Sequence, residues 1–525
     1  MPVADSIDYG GTGMAKSVMI QGTMSNAGKS LIAAAFCRIF RQDGYTVAPF
    51  KSQNMALNSY VTADGLEMGR AQVMQAEAAG LPPDVRMNPI LLKPTSDVGS
   101  QVIVNGEIRA DMTAKEYFKY KKELMPEVLK AYHSLAQDAE IIVIEGAGSP
   151  AEINLRERDL VNMSLAEAVD APVLLVGDID RGGVFAQLYG TVALMPENEQ
   201  RRIRGLLINK FRGDKTILDP GLKTLEELCH TPVLGVIPYT ELDLDDEDSL
   251  ADRLELKKQE KKNAVVDIVV VQLPHMACFT DFNALSVIPE VSLRYIRRPA
   301  DIGEADMLIL PGSKATMRDR RWLTEQGFDE AIPSYAKAGG VIFGVCAGYQ
   351  LLGESLHDPE GRESGKKEEG ADLKGLKLLP VETFFYEEKH RRQVKGSFLE
   401  MKGVLAPLSG MEIKGYEIHQ GRTALSGEGA HAVQLSADTR FEAEAEGACN
   451  GNVYGSYVHG IFDAPLIAHT IAKTLAERKG REIAPPSPAA LDRDAYKEAQ
   501  YDALAALVRE NIDLQAIYRI MEEKG

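Results

Sequence analysis

Residues 17–40 read SVMIQGTMSNAGKSLIAAAFCRIF, and the fold of the first half of the chain follows from this stretch. An apolar run with strand character ends at Gly22. A turn then leads to Gly28-Lys29-Ser30, and an apolar helical segment follows. Such a turn aims several backbone N–H groups and the positive end of a helix dipole at one point, where a phosphate binds. In a phosphate loop Lys29 reaches the terminal phosphates and the Ser30 hydroxyl sits on Mg²⁺. The general spacing puts the first glycine at position 23, but Thr23 stands there and Gly22 precedes it, so the motif is a variant. Gly22, Thr23, Asn26, Gly28, Lys29 and Ser30 are the expected nucleotide contacts.

Outward from this loop, β-branched runs alternate with helical periodicity. Strands are expected at 17–21, 141–144, 173–176 and 205–208, and helices at 30–41 and 115–136. That alternation predicts βαβ units and a parallel sheet, with ligands at the carboxyl ends of the strands. Phosphoryl transfer also needs carboxylates for a metal and cations for developing charge. Glu145 closes the apolar strand IIVIE and precedes Gly-Ala-Gly, which favours a metal role over a loop or capping carboxylate. Asp64 and Glu67, in ADGLEMGRAQ, are further candidates, so Ser30, Asp64 and Glu145 form the expected metal set. Lys51 follows the strand TVAPF and Lys93 lies in NPILLKP; both are expected near substrate or phosphate.

At 525 residues the chain is too long for one core. Residues 1–16 read as a flexible lead-in and 17–250 as the phosphate-loop domain. The charged, Gly-free stretch ADRLELKKQEKKNA, 251–264, reads as a linker. A second domain is expected over 265–480, with strands at 265–272, 307–310, 341–345 and 453–457. A polar excursion at 358–374 reads as a mobile surface loop. The remainder, 481–525, reads as a tail ending in a helix-like segment from 493.

The informative segment of the second half is GGVIFGVCAGYQ, residues 339–350. A strand running into G-x-C-x-G and a helix is the thiol form of the nucleophile elbow. The turn exposes Cys346, its glycines make room for a tight backbone, and the helix N-terminus favours thiolate. A structural cysteine would need no glycine on both sides. The base is expected at His459 in GSYVHGIF, with His419 in GYEIHQGR as the other candidate. The N–H of Ala347 and a loop N–H near Gly312, in LPGSK, would form the oxyanion hole. In the common His-Pro-Glu triad the Glu orients the imidazole, but here Gly460 and Ile461 follow His459. Either another group holds the ring or the site works as a dyad.

Composition excludes several classes. The net charge of −18 argues against nucleic-acid binding. No membrane span is expected, because no run of about 18 uncharged apolar residues occurs. Five cysteines without a C-x-x-C pair argue against disulfides and structural zinc and fit the cytoplasm. A homo-oligomer is compatible with all of this.

The loop G-T-x-x-x-x-G-K-S resembles that of dethiobiotin synthetase and its relatives, which use ATP to phosphorylate a carboxylate that an amine then attacks. Together QGTMSNAGKS, PFKSQNMALNSYVTADGLEMGRAQ, EGAGSPAEINL, GDIDRGGVFA, INKFRGD, LPGSKATM, FGVCAGYQLLG, GYEIHQGR and GSYVHGIFD resemble the cobyric acid synthases over nearly the whole chain. The absent Glu after the histidine is a trait of that family too. The resemblance implies an α/β chain of two domains. The first is a P-loop NTPase-like, dethiobiotin synthetase-like parallel-sheet domain, and the second is a class I glutamine amidotransferase-like α/β domain. It implies ATP and Mg²⁺ as cofactors and glutamine as nitrogen donor. The implied corrinoid substrate is adenosylcobyrinic acid a,c-diamide, amidated at its b, d, e and g carboxylates through acyl phosphates. By the same resemblance Asn209 contacts adenine, while Asp178 and Arg181 face the substrate carboxylates. The cobyrinic acid a,c-diamide synthases share both domains, but resemble Lys-x-Gly-Pro-Asp-Tyr where this chain has Lys51-Ser-Gln-Asn54. Against a non-catalytic scaffold with a relic glutaminase domain stand the intact Lys29 and Cys346.

Overall fold

The structure, a computed structural model, describes residues 15–96, 99–244, 264–363, 370–437, 440–464, 466–486 and 491–523. The expected linker, 251–264, and lead-in, 1–16, fall almost wholly outside these residues.

The first domain is built on a six-stranded sheet of Val233–Pro238, Ile203–Phe211, Val173–Asp178, Lys16–Gly22, Ile141–Glu145 and Val47–Phe50, in that spatial order. All five pairings are parallel. Ile141–Glu145 is buried at every position, which is why it reads as a continuous apolar run rather than an alternating one. The helix Lys29–Gln42 buries Ile32, Phe36, Ile39 and Phe40. Lys16–Gly22 lies between the end strands of two oppositely directed windings, so its carboxyl end is the crevice of the sheet.

Two parts of this domain differ from the periodicity reading. The long helix expected at 115–136 is two helices, Ala114–Tyr120 and Met125–Asp138, joined by a 3₁₀ turn. Pro126 lies in the first turn of the second; it lacks an N–H and suits a helix start, not an interior. A four-stranded sheet, in the order Gln53–Met55, Ile90–Ser96, Gly99–Val104 and Glu107–Thr113, parallel at its first pair and antiparallel at the others, lies before them.

The second domain has a sheet in the order Val291–Ile296, Val266–Val271, Met307–Leu310, Val341–Val345, Val453–Ser456 and Ala448–Asn450, parallel except at the last pair. A long antiparallel hairpin, Val381–Phe398 with Glu412–Leu425, leans on the first domain. Arg391 Nη2 meets Glu107 at 2.6 Å, and Tyr416 Oη donates to the Ser59 carbonyl at 3.0 Å. Residues 364–369 of the polar excursion expected at 358–374 lie outside the described residues, and the parts on either side are held by regular contacts. Ala371–Lys374 pairs with Ser355–Asp358, and the buried Asp358 accepts from the N–H groups of Arg362 and Glu363.

The tail does not end as an appendage. Arg493–Glu510 and Leu514–Glu522 return to the first domain and bury Leu504, Val508 and Ile517 in the same core as Phe36 and Phe40. Arg38 joins Glu498 at 2.8 Å and Asp502 at 2.7 Å. Both ends of the described chain therefore lie in one core. No helix among the described residues is long and apolar enough to cross a membrane.

Candidate active sites

The carboxyl ends of the first sheet gather the predicted nucleotide residues. Glu145, ending its strand, is fully buried; its Oε1 accepts from Ser30 Oγ and Lys51 Nζ, both at 2.8 Å. Gln75 Nε2 at 2.6 Å and Gln72 Nε2 at 3.3 Å donate to the other oxygen. Burial alone would raise this carboxyl, but the charge of Lys51 and these hydrogen bonds hold it below the ordinary glutamate range. Lys29 folds back on its loop, donating to the Met24 carbonyl at 2.9 Å. A methyl group at Gly22 would lie 3.0 Å from the Lys29 stem, so the displaced glycine leaves room for that side chain. Gly28 has φ +92°, and a Cβ there would lie 2.1 Å from Asn209 Nδ2.

The neighbouring strand ends supply the rest. Thr23 Oγ1 donates to Gln187 Oε1 at 3.2 Å. The Asn26 carbonyl accepts from Lys210 Nζ at 2.6 Å, and that ammonium also lies 3.1 Å from buried Asp178. Asn209 Nδ2 donates to the Ala27 carbonyl at 3.0 Å, so it braces the loop itself. Arg181 is exposed on the turn after Asp178.

Asp64 is placed differently from expectation, and Lys93 stands at the cavity that holds Cys346. Asp64 is exposed in the turn after Tyr60, accepting from Thr62 Oγ1, and no contact links it to Ser30 or Glu145 among the described residues. The turn points it toward the second domain, where Arg440 reaches the adjacent Ala63 carbonyl. Lys93 and Glu67 pair with each other, and no hydrogen bond or ion pair links either to the phosphate loop among the described residues. Lys93 Nζ meets Glu67 Oε1 at 2.6 Å and faces the cavity that holds Cys346.

Cys346 follows the strand Val341–Val345 with φ +53° and ψ −111°, the strained backbone of an elbow. A Cβ on Gly348 would fall 1.9 Å from the Leu310 carbonyl oxygen, and one on Gly344 2.6 Å from the Gly348 backbone. The motif glycines are thus needed because the helix Ala347–Leu352 presses against the adjacent strand. The two strands flanking Val341–Val345 lead to Gly312 and His459. A methyl at Gly312 would lie 3.2 Å from His459 Cε1 and 3.7 Å from Cys346 Cβ, which packs the three together.

The carboxylate missing after His459 comes from elsewhere in the chain. Asp281 Oδ2 lies 2.7 Å from His459 Nδ1, and its Oδ1 accepts from the Gly460 N–H at 3.0 Å. With Nδ1 so engaged, Nε2 is left to face the cavity, where the Cys278 thiol hydrogen-bonds to the ring and Cys346 Sγ donates to the Ile418 carbonyl at 3.6 Å. Burial pulls the imidazole pKa down, but the negative charges of Cys278, Asp281 and Cys346 outweigh it and hold the ring well above the ordinary histidine value. Cys278 lines the same cavity, and His459 lowers its thiol against the opposing effect of burial. His419 is stacked on Tyr457 at 3.6 Å and engages the Gly421 carbonyl through Nδ1. Burial and the nearby His390 keep it neutral, so it is a wall of the cavity and not a second base.

Residues 18–250 match the CobQ/CobB/MinD/ParA nucleotide binding domain, and residues 267–466 match the CobB/CobQ-like glutamine amidotransferase domain. Curated relatives resemble the chain end to end. It is 53% identical to cobyric acid synthase of Lachnoclostridium phytofermentans, over 97% of this chain and 100% of that one. It is 52% identical to that of Ruminiclostridium cellulolyticum (97% and 98% covered) and 48% identical to that of Photorhabdus laumondii (97% and 98% covered). The chain belongs to the cobyric acid synthase family. As a family member it is a glutamine-hydrolysing ligase whose nucleotide-binding and amidotransferase domains share one chain.

Asp281 and Cys278 escaped the sequence reading of this cobyric acid synthase family member. Asp281 lies in ACFTDFNAL, with no glycine turn or strand end to single it out. The gap after His459 signalled that a carboxylate was wanted without saying where it was.

Proposed function

We propose that the chain uses ATP and glutamine to amidate the b, d, e and g carboxylates of adenosylcobyrinic acid a,c-diamide. The observation that carries this reading is the pairing, on one chain, of an elbow cysteine, Cys346, packed beside an Asp281-held His459, with a phosphate loop whose Ser30 and Lys51 converge on Glu145.

In the second domain Cys346 is the nucleophile. Its thiolate attacks the glutamine carboxamide carbon, and the N–H of Ala347 with a loop N–H at Gly312 receives the oxyanion. His459, oriented by Asp281, delivers a proton to the departing ammonia and then activates the water that releases glutamate. In the first domain the loop from Gly22 to Ser30, with Thr23, Asn26, Gly28 and Lys29, holds the ATP phosphates. Asn209 braces that loop at the nucleotide's side. The oxygens of Ser30 and Glu145 are hard donors that would hold Mg²⁺, which would supply positive charge against the phosphates. Asp178 and Arg181 face the corrinoid. Its carboxylate attacks the γ-phosphorus and ADP leaves; ammonia then attacks the acyl carbon of the mixed anhydride and phosphate departs. Lys51 stands where it can balance the charge on the transferring group.

Mass spectrometry of the corrinoid after incubation with ATP and glutamine tests the substrate. Stepwise replacement of OH by NH₂ at four carboxylates is expected, and an unchanged corrinoid would refute it. Cys346→Ala should abolish glutamine use but leave amidation driven by ammonium. Loss of both activities would refute the division of labour between the domains.

A further inference from the structure

The cavity over Cys346 is not made by the amidotransferase domain alone. Its wall includes Lys93, from the four-stranded sheet of the nucleotide-binding domain, together with Lys314, Lys389 and Glu363. Glu67, also from the first domain and fully buried, grips Lys93 through one oxygen at 2.6 Å and Lys389 through the other at 2.7 Å. Lys93 Nζ is held from a second side by Ser59 Oγ at 2.9 Å. This ion-paired bridge spans the two domains at the mouth of the thiol site.

Three lysine side chains converge on the cavity, Lys93, Lys314 and Lys389, against the Glu67 carboxylate, which two of them keep ionised despite its burial, and Glu363, whose carboxyl burial pushes up to about 7. Burial, with the nearby charges of Lys93 and Lys314, pushes Lys389 down to about 7 in spite of Glu67. Buried like charges that lack full compensation call for an anion. Glutamine brings one. Its carboxamide must reach Cys346, and the other end of the molecule carries an α-carboxylate and an α-ammonium. Glu363 is already fixed by the Thr316 N–H, which donates to its Oε2 at 2.9 Å.

We propose that Lys93 and Lys389 together receive the α-carboxylate of glutamine, that Glu363 receives its α-ammonium, and that Glu67 is the positioning residue for both lysines. The inference rests on the glutaminase reading of Cys346. It makes the glutamine site composite: a strand of the ligase domain supplies part of the amino-acid pocket, so glutamine is held in full only when the two domains are docked.

The test compares two thiol reagents on the full chain. The diazo-ketone analogue of glutamine carries the amino-acid head; iodoacetamide does not. In the wild type both should alkylate Cys346. In Lys93→Met and in Lys389→Met, labelling by the diazo-ketone relative to iodoacetamide should fall about tenfold or more, the usual weight of a charge-assisted hydrogen bond. Lys93→Arg should restore part of the ratio, and Glu67→Gln should lower it. An unchanged ratio in both lysine variants overturns the inference. If the diazo-ketone fails to label Cys346 even in the wild type, the glutaminase reading falls and this inference with it. Should a variant misfold, the wild type still decides the matter. The primary amide of γ-aminobutyrate, which is glutamine without its α-carboxylate, should be hydrolysed with kcat/KM at least about tenfold below that of glutamine. Equal values would remove the need for any carboxylate receptor.

Discussion

Replacing Asp281 with Asn removes one negative charge from behind the His459 ring while keeping the shape of the side chain. In the wild type Oδ2 sits 2.7 Å from Nδ1 and Oδ1 holds the Gly460 N–H. Once the imidazole has taken a proton, its charge and that of the carboxylate are centred roughly 4 Å apart, worth about 4 kcal/mol at an effective dielectric of about 20. The amide dipole of Asn recovers part of this, leaving a loss of about 3 kcal/mol and a fall in glutaminase kcat of roughly a hundredfold or more. Two further consequences share the cause. The imidazole pKa, held above its ordinary value partly by Asp281, should drop. Asn can also donate to Nδ1, which would favour the tautomer that leaves Nε2 protonated and unable to act as base. The assay is glutamate release at saturating glutamine, with ammonium-driven amidation as the control on folding. A kcat within about threefold of wild type would refute the claim that Asp281 completes the site.

Other substitutions address other parts of the molecule. Glu145→Gln removes the carboxylate on which Ser30 and Lys51 converge, and amidation from glutamine and from ammonium should fall together by about two orders of magnitude; a drop with glutamine alone would argue against a role in phosphoryl transfer. Leu504→Ala hollows the core shared by the tail and the first domain. It should cost about 2–5 kcal/mol and lower the calorimetric transition of that domain; an unchanged transition would mean the tail docks without contributing stability. Glu446 is buried beside Ser456 and the Tyr457 N–H, and burial with the charge of Glu417 pushes its carboxyl up to about 8. The folded state therefore binds a proton that the unfolded state releases at ordinary carboxyl pH, so stability falls as pH rises from about 4.5 to 8. Glu446→Gln should flatten that slope between pH 6 and 8 in thermal unfolding, and an unaltered slope would assign the titration to another group.

Much of both sites was legible because the motifs are local. A strand, a turn and a helix sit within one stretch at residues 17–40, and again at residues 341–352, so their geometry follows from neighbours in the chain. Glu145, Lys51 and Asp178 were legible for a related reason: each ends or follows a strand, and parallel strands deliver their carboxyl ends to one edge. The readings that shifted rested on residues without such an anchor. Asp64 lies in ADGLEMGRAQ, far along the chain from the phosphate loop, and its tight turn faces the second domain. Lys93 follows an apolar run that looks like one more strand of the main sheet but belongs to the separate four-stranded one. The helix at 115–136 divides at the 3₁₀ turn Lys121–Glu123, just before Pro126, a break that apolar periodicity alone does not register.

From the order of residues alone one could read a phosphate loop joined to a cysteine elbow, and hence nucleotide-driven amidation with nitrogen from glutamine. Each of those motifs is closed within a few turns of backbone. The partner of His459 could not be read that way. Asp281 is remote from it in the chain, and only the packing of a short helical turn against the end of a parallel sheet brings the carboxylate to the ring. The same holds for Lys93, Glu67 and Lys389, whose union requires two domains to dock. Contacts between distant segments depend on how whole elements pack, and no spacing in the sequence encodes that distance.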